Sequence, residues 1–223
     1  MLACITEIVI LVSIAKELLY LRDSIRAGRL NRKQRRKFGQ ATPQYAERIW
    51  VETSQCLGAA RQKISRRKSG LVMSGDWDRE RRDITEIPKI RYCLAHWQNG
   101  LSWEDAGAYE HMLSLIEQKS GAVDGVSNLS EIKDRYKKLD AIYAQTQKDG
   151  ALKTAQTIRG KSFRESGGIL IHLDHNGPPL FGNAGHHRLA IAQAHGFSHF
   201  PAQLGVVHPD ALPHMDKYRA VPG

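Results

Sequence analysis

The sequence predicts an α+β domain, on three observations. The last third alternates β-branched runs with one short helix pattern. Two amphipathic helix patterns precede it. The totals are those of an ordinary globular chain: 223 residues, 41% hydrophobic and 25% charged, enough to bury a core without covalent staples.

The first 40 residues read as a helix followed by a basic arm. The opening "MLACITEIVILVSIAKELLYL" is apolar, but Glu7, Lys16 and Glu17 interrupt it. Its longest uncharged stretch runs from Ile8 to Ala15, well short of the ~20 residues that span a bilayer. A signal peptide puts its positive charge before the apolar run, and here the charge follows. The segment is expected to be a buried or partner-facing helix of a cytoplasmic protein, with a membrane-surface anchor backed by the basic run as the lesser alternative.

The rest of the chain, 41–223, is expected to be the domain itself. "RIWVE" (Arg48 to Glu52) puts Ile49 and Val51 on one side of a strand. "SGLVMSGDWD" (Ser69 to Asp78) predicts a short apolar strand running into a turn. Residues 79–125 are expected to form a helical insertion. Within it, Ser102 and Asp105 form a capping box, and Ala106, Tyr109, Met112, Leu113 and Ile116 keep helical spacing up to a stop at Gly121. Leu129, Ile132, Tyr136, Leu139, Ile142 and Tyr143 repeat the plan in a second helix closed by Gly150. Gly167 to Asp174 is a β-branched strand, and "HNG" (His175 to Gly177) is a hairpin turn. "PPLF" returns as a short strand. His186 to His195 forms a helix stopped by Gly196, and "FPAQLGVV" is the last strand.

Charge and cysteines narrow the partners. The net charge of +10 favours anions such as nucleotides or nucleic acid. Segments 22–37 and 61–68 carry much of it. Few aromatics interleave with them, so stacking on single strands has no support. Cys4, Cys56 and Cys93 are odd in number and form no CxxC, so neither a disulfide framework nor a zinc ribbon is signalled.

"FGNAGHHRLAIAQAHGFSHFPAQL" (Phe181 to Leu204) is the richest stretch. A helix start exposes unpaired N–H groups and the positive end of the dipole. Gly185 lets an anion approach the backbone, Arg188 can fork onto phosphate oxygens, and His186 and His187 can donate hydrogen bonds. With Gly182 and Asn183 these make a phosphate cradle. The same composition also fits a plain turn before a helix.

The stretch resembles the signature of the ParB/sulfiredoxin superfamily: a short strand, a Gly-x-[His/Arg]-Arg loop, a helix, a glycine, and "iPa" leading into a strand. Gly185-His186-His187-Arg188 is similar to the Gly-Cys-His-Arg of sulfiredoxin. The resemblance runs from about Asn128 to Val207. It implies a small mixed sheet packed by helices, with the strand at Trp50 as its first. It also implies a site for a nucleoside di- or triphosphate at the loop, without fixing the reaction. His186 stands where sulfiredoxin has its cysteine, so sulfinate reduction is not expected. The chain ends at Gly223 with no helix-turn-helix after the domain, so a complete partition protein is not expected either.

Phosphoryl transfer also needs a metal and a group that orients the nucleophile. Asp76 and Asp78, in "GDWD", are the candidates for Mg²⁺ or base, with His187 as a proton carrier. The alternative is a turn whose aspartates bond local amides while Trp77 is core. Glu165 is a further pocket candidate through the resemblance, whereas Asp174 belongs to the hairpin turn. His172 and His175 fall on opposite faces of a strand, which is poor chelation geometry. Two other readings stay open: a nucleic-acid-binding module without catalysis, and a scaffold in which the loop is vestigial and the N-terminal helix docks a partner or membrane.

Overall fold

The computed structural model describes residues 2–160 and 162–222, with side chains from residue 13 onward. Cys4, Glu7 and most of the apolar run Ile8–Ala15 therefore lie outside the described side chains. The fold is α+β, a six-stranded mixed sheet with helices. The strands are β1 (Arg48–Glu52), β2 (Gly58–Ala60), β3 (Arg81–Asp83), β4 (Ile169–Leu173), β5 (Pro179–Phe181) and β6 (His199–Val207), in the spatial order β1-β6-β4-β5-β2-β3. The helices are α1 (Leu2–Phe38), α2 (Pro88–Asn99), α3 (Ala108–Lys119), α4 (Leu129–Asp149), α5 (Ala155–Arg159), α6 (His186–His195) and α7 (Met215–Arg219).

The main core lies between one face of the sheet and helices α2, α3, α4 and α6. Ile169, Ile171 and Leu173 of β4 enter it with Phe200, Ala202 and Leu204 of β6, as a two-residue repeat requires. Leu189, Ala190, Ile191 and Ala192 of α6, and Ile90, Tyr92 and Cys93 of α2, close over them. The opposite face carries a smaller cluster of Ile64, Trp77, Leu180 and Val206.

A bulge explains why Val207, and not Val206, returns to the main-core face that Ala202 and Leu204 occupy. Ile171 pairs with Leu204 and Leu173 with Val207, so β6 holds one residue more than β4 across that interval. The amide of Val206 left over by the bulge donates to His172 Nδ1 at 2.9 Å. Burial holds His172 down to about pKa 4, so the neutral ring is available as that acceptor. A Cβ on Gly205 would sit 2.0 Å from the ring nitrogen. His172 is therefore a core residue that closes the bulge.

Several boundaries differ from the sequence reading for local reasons. The basic arm is not separate: α1 is a continuous helix through residue 38. It docks through Asp23, Ala27, Asn31 and Gln34, one buried position per turn. Asn31 Oδ1 accepts from the Tyr45 amide at 2.9 Å and Gln34 Oε1 from the Val72 amide at 3.1 Å. Segment 69–78 yields a single bridge, Val72 to Val207, instead of a strand. The Ser102–Asp105 box forms, with the Asp105 amide 3.0 Å from Ser102 Oγ, but it caps a turn. Helix α3 begins later, after Gly107 in the left-handed region. Helix α4 starts where the pattern put it, with Asn128 Oδ1 accepting from the Glu131 amide at 3.0 Å and Glu131 Oε2 from the Ser127 amide at 2.7 Å. The 79–125 segment is more than an insertion, since it supplies edge strand β3 and the core helix α2.

Asp140 of α4 binds these helices together. Its carboxylate accepts from Trp97 Nε1 at 3.1 Å and Trp103 Nε1 at 2.9 Å, and faces His96 Nε2 at 3.2 Å. The His96 ring stacks on Trp103 with centroids 3.9 Å apart. Asp140→Ala leaves two half-buried indole donors without acceptors. Allowing for its partial exposure, we expect a loss of about 2 kcal/mol, measured by urea unfolding followed through tryptophan fluorescence. A loss under about 0.5 kcal/mol, the range of ordinary surface changes, would show that the helices do not depend on it.

Candidate functional site

The loop 182–185 leaves β5 and runs past the start of β4. The amide of Leu170 donates to Ala184 O at 2.9 Å, and the Gly182 amide to Leu170 O at 2.7 Å. Asn183 takes a positive φ of 57°. Its side chain donates to Ala60 O at 2.7 Å and accepts from Arg82 Nη2 at 2.6 Å, fixing the loop to β2 and β3. Gly185 has φ 95°, and a Cβ there would lie 2.8 Å from Ile169 Cα. Only glycine meets both conditions.

Helix α6 then begins without a side-chain cap. Its first backbone bond is from Leu189 N to Gly185 O at 3.0 Å. The amides of Gly185, His186, His187 and Arg188 have no hydrogen-bond partner among the described residues. Four free donors and the dipole's positive end thus open together.

Cations surround this opening. Burial holds His186 to about pKa 4, and Lys89, Arg82 and Arg66 push in the same direction against the opposing Asp124. Burial also holds His187 to about pKa 4, assisted by Lys89 and Arg135. Both rings are therefore neutral at pH 7. Phe181 packs edge-on against His186 at 5.1 Å, and Tyr136 edge-on against His187 at 6.2 Å. His187 Nε2 is buried and without a partner.

Arg188 points from the first turn toward the other side of the loop. It donates to Lys153 O and lies 3.9 Å from Glu165 Oε1, while its Nε is buried and unpartnered. Burial lowers its pKa, opposed by Glu165 and assisted by Arg159. Arg66 is drawn down to about 10 by burial and by the charges of Arg159 and Arg188. It donates to Gln203 Oε1 and to Gly168 O, both at 2.7 Å. Three guanidinium groups are thus held near one another at this end of the sheet.

The predicted site residues divide into two places. Gly182, Asn183, Gly185, His186, His187, Arg188 and Glu165 lie together at the start of β4. Glu165 is fully buried, accepting from Arg48 Nε at 2.9 Å and the Ala155 amide at 2.6 Å. Asp76 and Asp78 lie elsewhere. Asp78 bonds His175, just past the far end of β4, roughly 16 Å along the strand at ~3.3 Å per residue. Asp76 is exposed and paired with Arg79 at 3.2 Å. Neither joins the loop. Trp77 is core, with Nε1 donating to Met73 O at 2.9 Å.

Sequence reasoning did not single out Arg66, Arg82, Lys89 or Arg159 as site residues. Arg66 falls in the basic segment 61–68, a visible signal. The others reach the loop only through tertiary packing. Cys56 and Cys93 are buried free thiols, and burial pushes Cys56 up to about 12, so neither is primed for nucleophilic chemistry.

The histidines set an acid limit. A folded-state pKa near 4 against ~6.5 in the unfolded chain means that the unfolded state binds more protons between those values. Stability contributed by neutral His172, His186 and His187 is present above about pH 6.5 and is lost as pH falls toward 4. We expect these three rings not to titrate between pH 7.5 and 5.5 by NMR, and the urea midpoint to fall over that interval. Normal titration of His186 and His187 would place them in water instead. Family models, curated proteins and solved structures provide no match to this chain.

Proposed function

We propose that the chain binds the phosphates of a nucleoside di- or triphosphate at the N-terminus of α6. The carrying observation is the set of four unpartnered amides, 185 to 188, opening among Arg66, Arg82, Lys89, Arg159 and Arg188. Amides and dipole bind one phosphate group, and the surrounding cations suit a ligand with several charges. The ParB/sulfiredoxin resemblance points to the same loop.

Neutral His186 and His187 suit this role. Each offers an N–H toward an oxyanion without adding a fixed buried charge. Catalysis is a separate matter. Asp76 and Asp78 sit too far from the loop to serve it, and Glu165 is engaged by Arg48 and the Ala155 amide. The reading is therefore one of recognition, in which His187, held to about pKa 4 by burial, acts as a neutral hydrogen-bonding group and not as the proton carrier the sequence suggests. Mg²⁺, if it enters, comes with the nucleotide's own phosphates.

Calorimetric titration of ATP, ADP, CTP and GTP, with and without Mg²⁺, tests the proposal. Arg188→Ala and Lys89→Ala are expected to weaken binding at least tenfold, about 1.4 kcal/mol, with the fold retained by circular dichroism. Gly185→Ala is expected to destabilise the domain through its φ and its contact with Ile169. Nucleotide affinity unchanged in both cation variants would reject the site.

A second reading has its own observation. On α1, Arg29, Arg32, Lys33, Arg35, Arg36 and Lys37 are all exposed on one continuous helix. A cavity of about 620 Å³ lined by Arg32, Arg35, Arg36 and Arg164 lies beside it. This surface suits a nucleic-acid backbone. The salt dependence of duplex DNA affinity, compared with that of nucleotide affinity, separates the two.

A further inference from the structure

Asp78, Asp174 and His175 meet just past the C-terminal end of β4. One donor atom from each lies within 4.8 Å of the other two. Asp78 is 1% exposed and Asp174 fully buried. Asp78 Oδ2 accepts from the His175 amide at 2.7 Å and faces His175 Nδ1 at 2.6 Å. Asp78 Oδ1 is buried with no partner. An orphaned carboxylate oxygen in a dry corner is costly unless something positive meets it. Asp174 Oδ1 accepts from the Asn176 amide at 2.8 Å, and Oδ2 from Arg81 Nη2 at 3.0 Å.

We propose that this corner binds one divalent first-row transition-metal ion, of the Mn²⁺ or Zn²⁺ kind, through Asp78, Asp174 and His175. One imidazole nitrogen with two carboxylates favours these ions over Mg²⁺ or Ca²⁺, which prefer all-oxygen shells. The ion takes the place of the proton between His175 Nδ1 and Asp78, and that proton leaves to solvent. Asp78 Oδ1 gains the positive partner it lacks. Arg81, with its side chain 42% exposed, is free to turn from Asp174 toward water. His208 stands 6.0 Å from the His175 ring, edge-on. Its Nδ1 accepts from the Asp210 amide at 3.3 Å, which makes it a neighbour and not a ligand.

The ion would clip the segment before β3 to the β4–β5 hairpin. It stands apart from the α6 opening by the length of β4, so it does not rest on the phosphate proposal. In the sequence, Asp76 looked like the partner of Asp78, but the fold replaces it with Asp174 and His175.

The test uses the full chain stripped with a chelator, then titrated with Mn²⁺ and Zn²⁺ by calorimetry and with Co²⁺ by visible absorption. One equivalent is expected to bind to the wild type and to Asp76→Asn. Affinity is expected to fall at least tenfold in Asp78→Asn and His175→Ala. The melting temperature is expected to drop on chelation in the wild type but not in His175→Ala. If Asp78→Asn fails to fold, His175→Ala decides, because its side chain sits on a turn and keeps 21% exposure, whereas Asp78 keeps 1%. No binding, or equal affinity in the wild type and His175→Ala, would overturn the site. Mg²⁺ displacing Mn²⁺ at comparable concentration would overturn its metal class.

Discussion

Glu165 is the interaction on which one end of the molecule depends. Its carboxylate is fully buried, and a buried charge survives only with close partners. Arg48 comes from β1, the Ala155 amide from the start of α5, and Arg188 from the first turn of α6. A single side chain thereby ties an edge strand, a short helix and the glycine loop. Gly168 makes room for it, since a Cβ there would lie 2.9 Å from Oε1. Removing Glu165 would leave Arg48 and Arg188 facing Arg66 and Arg159 with no negative charge among them. Glu165 offsets the guanidinium groups on its side of the loop, as Asp124 offsets Lys89 and Arg135 on the other.

Much of the fold is readable in the chain because local chemistry and final burial agree. Helix α6 and its stop at Gly196, helix α4 with its Asn128 cap and Gly150 end, and strands β1, β4, β5 and β6 all show their period and their punctuation. The failures share a cause. The 69–78 stretch is apolar enough for a strand, but tertiary bonds such as Gln34 to Val72 fix it in another path. Helix α2 opens at Pro88 with no polar cap, so its start has only a proline to announce it. In the site, the loop residues were legible because they are consecutive. Lys89, Arg82 and Arg159 were not, because nothing local links them to residue 185. Asp174 was rightly read as part of a hairpin turn. Its nearness to Asp78 follows from the fold alone.

Strand β4 organises the polar chemistry by separating it. At its start, free amides and guanidinium groups gather in excess over the acids Glu165 and Asp124, an environment for anions. At its end, two aspartates gather around one imidazole, an environment for cations. Between them, Ile169, Ile171 and Leu173 face the main core, while Leu170 and His172 fill the other side. The apolar stretch keeps the two polar clusters from neutralising each other, and each keeps its own sign.

The sheet's connectivity has a consequence for how the chain is made. Strand β1 pairs with β6, Ile49 opposite Ala202, and β2 pairs with β5, Ala59 opposite Phe181. Strand β2 has β3 close by in sequence, but β1 and the inner edge of β2 find their hydrogen-bonding neighbours only in the much later β6 and β5. During translation the first half must wait with Ile49, Val51 and Ala59 uncovered until the final strand leaves the ribosome. Such late closure is slow, and a nascent chain of this kind is a natural client for chaperones that shield apolar segments.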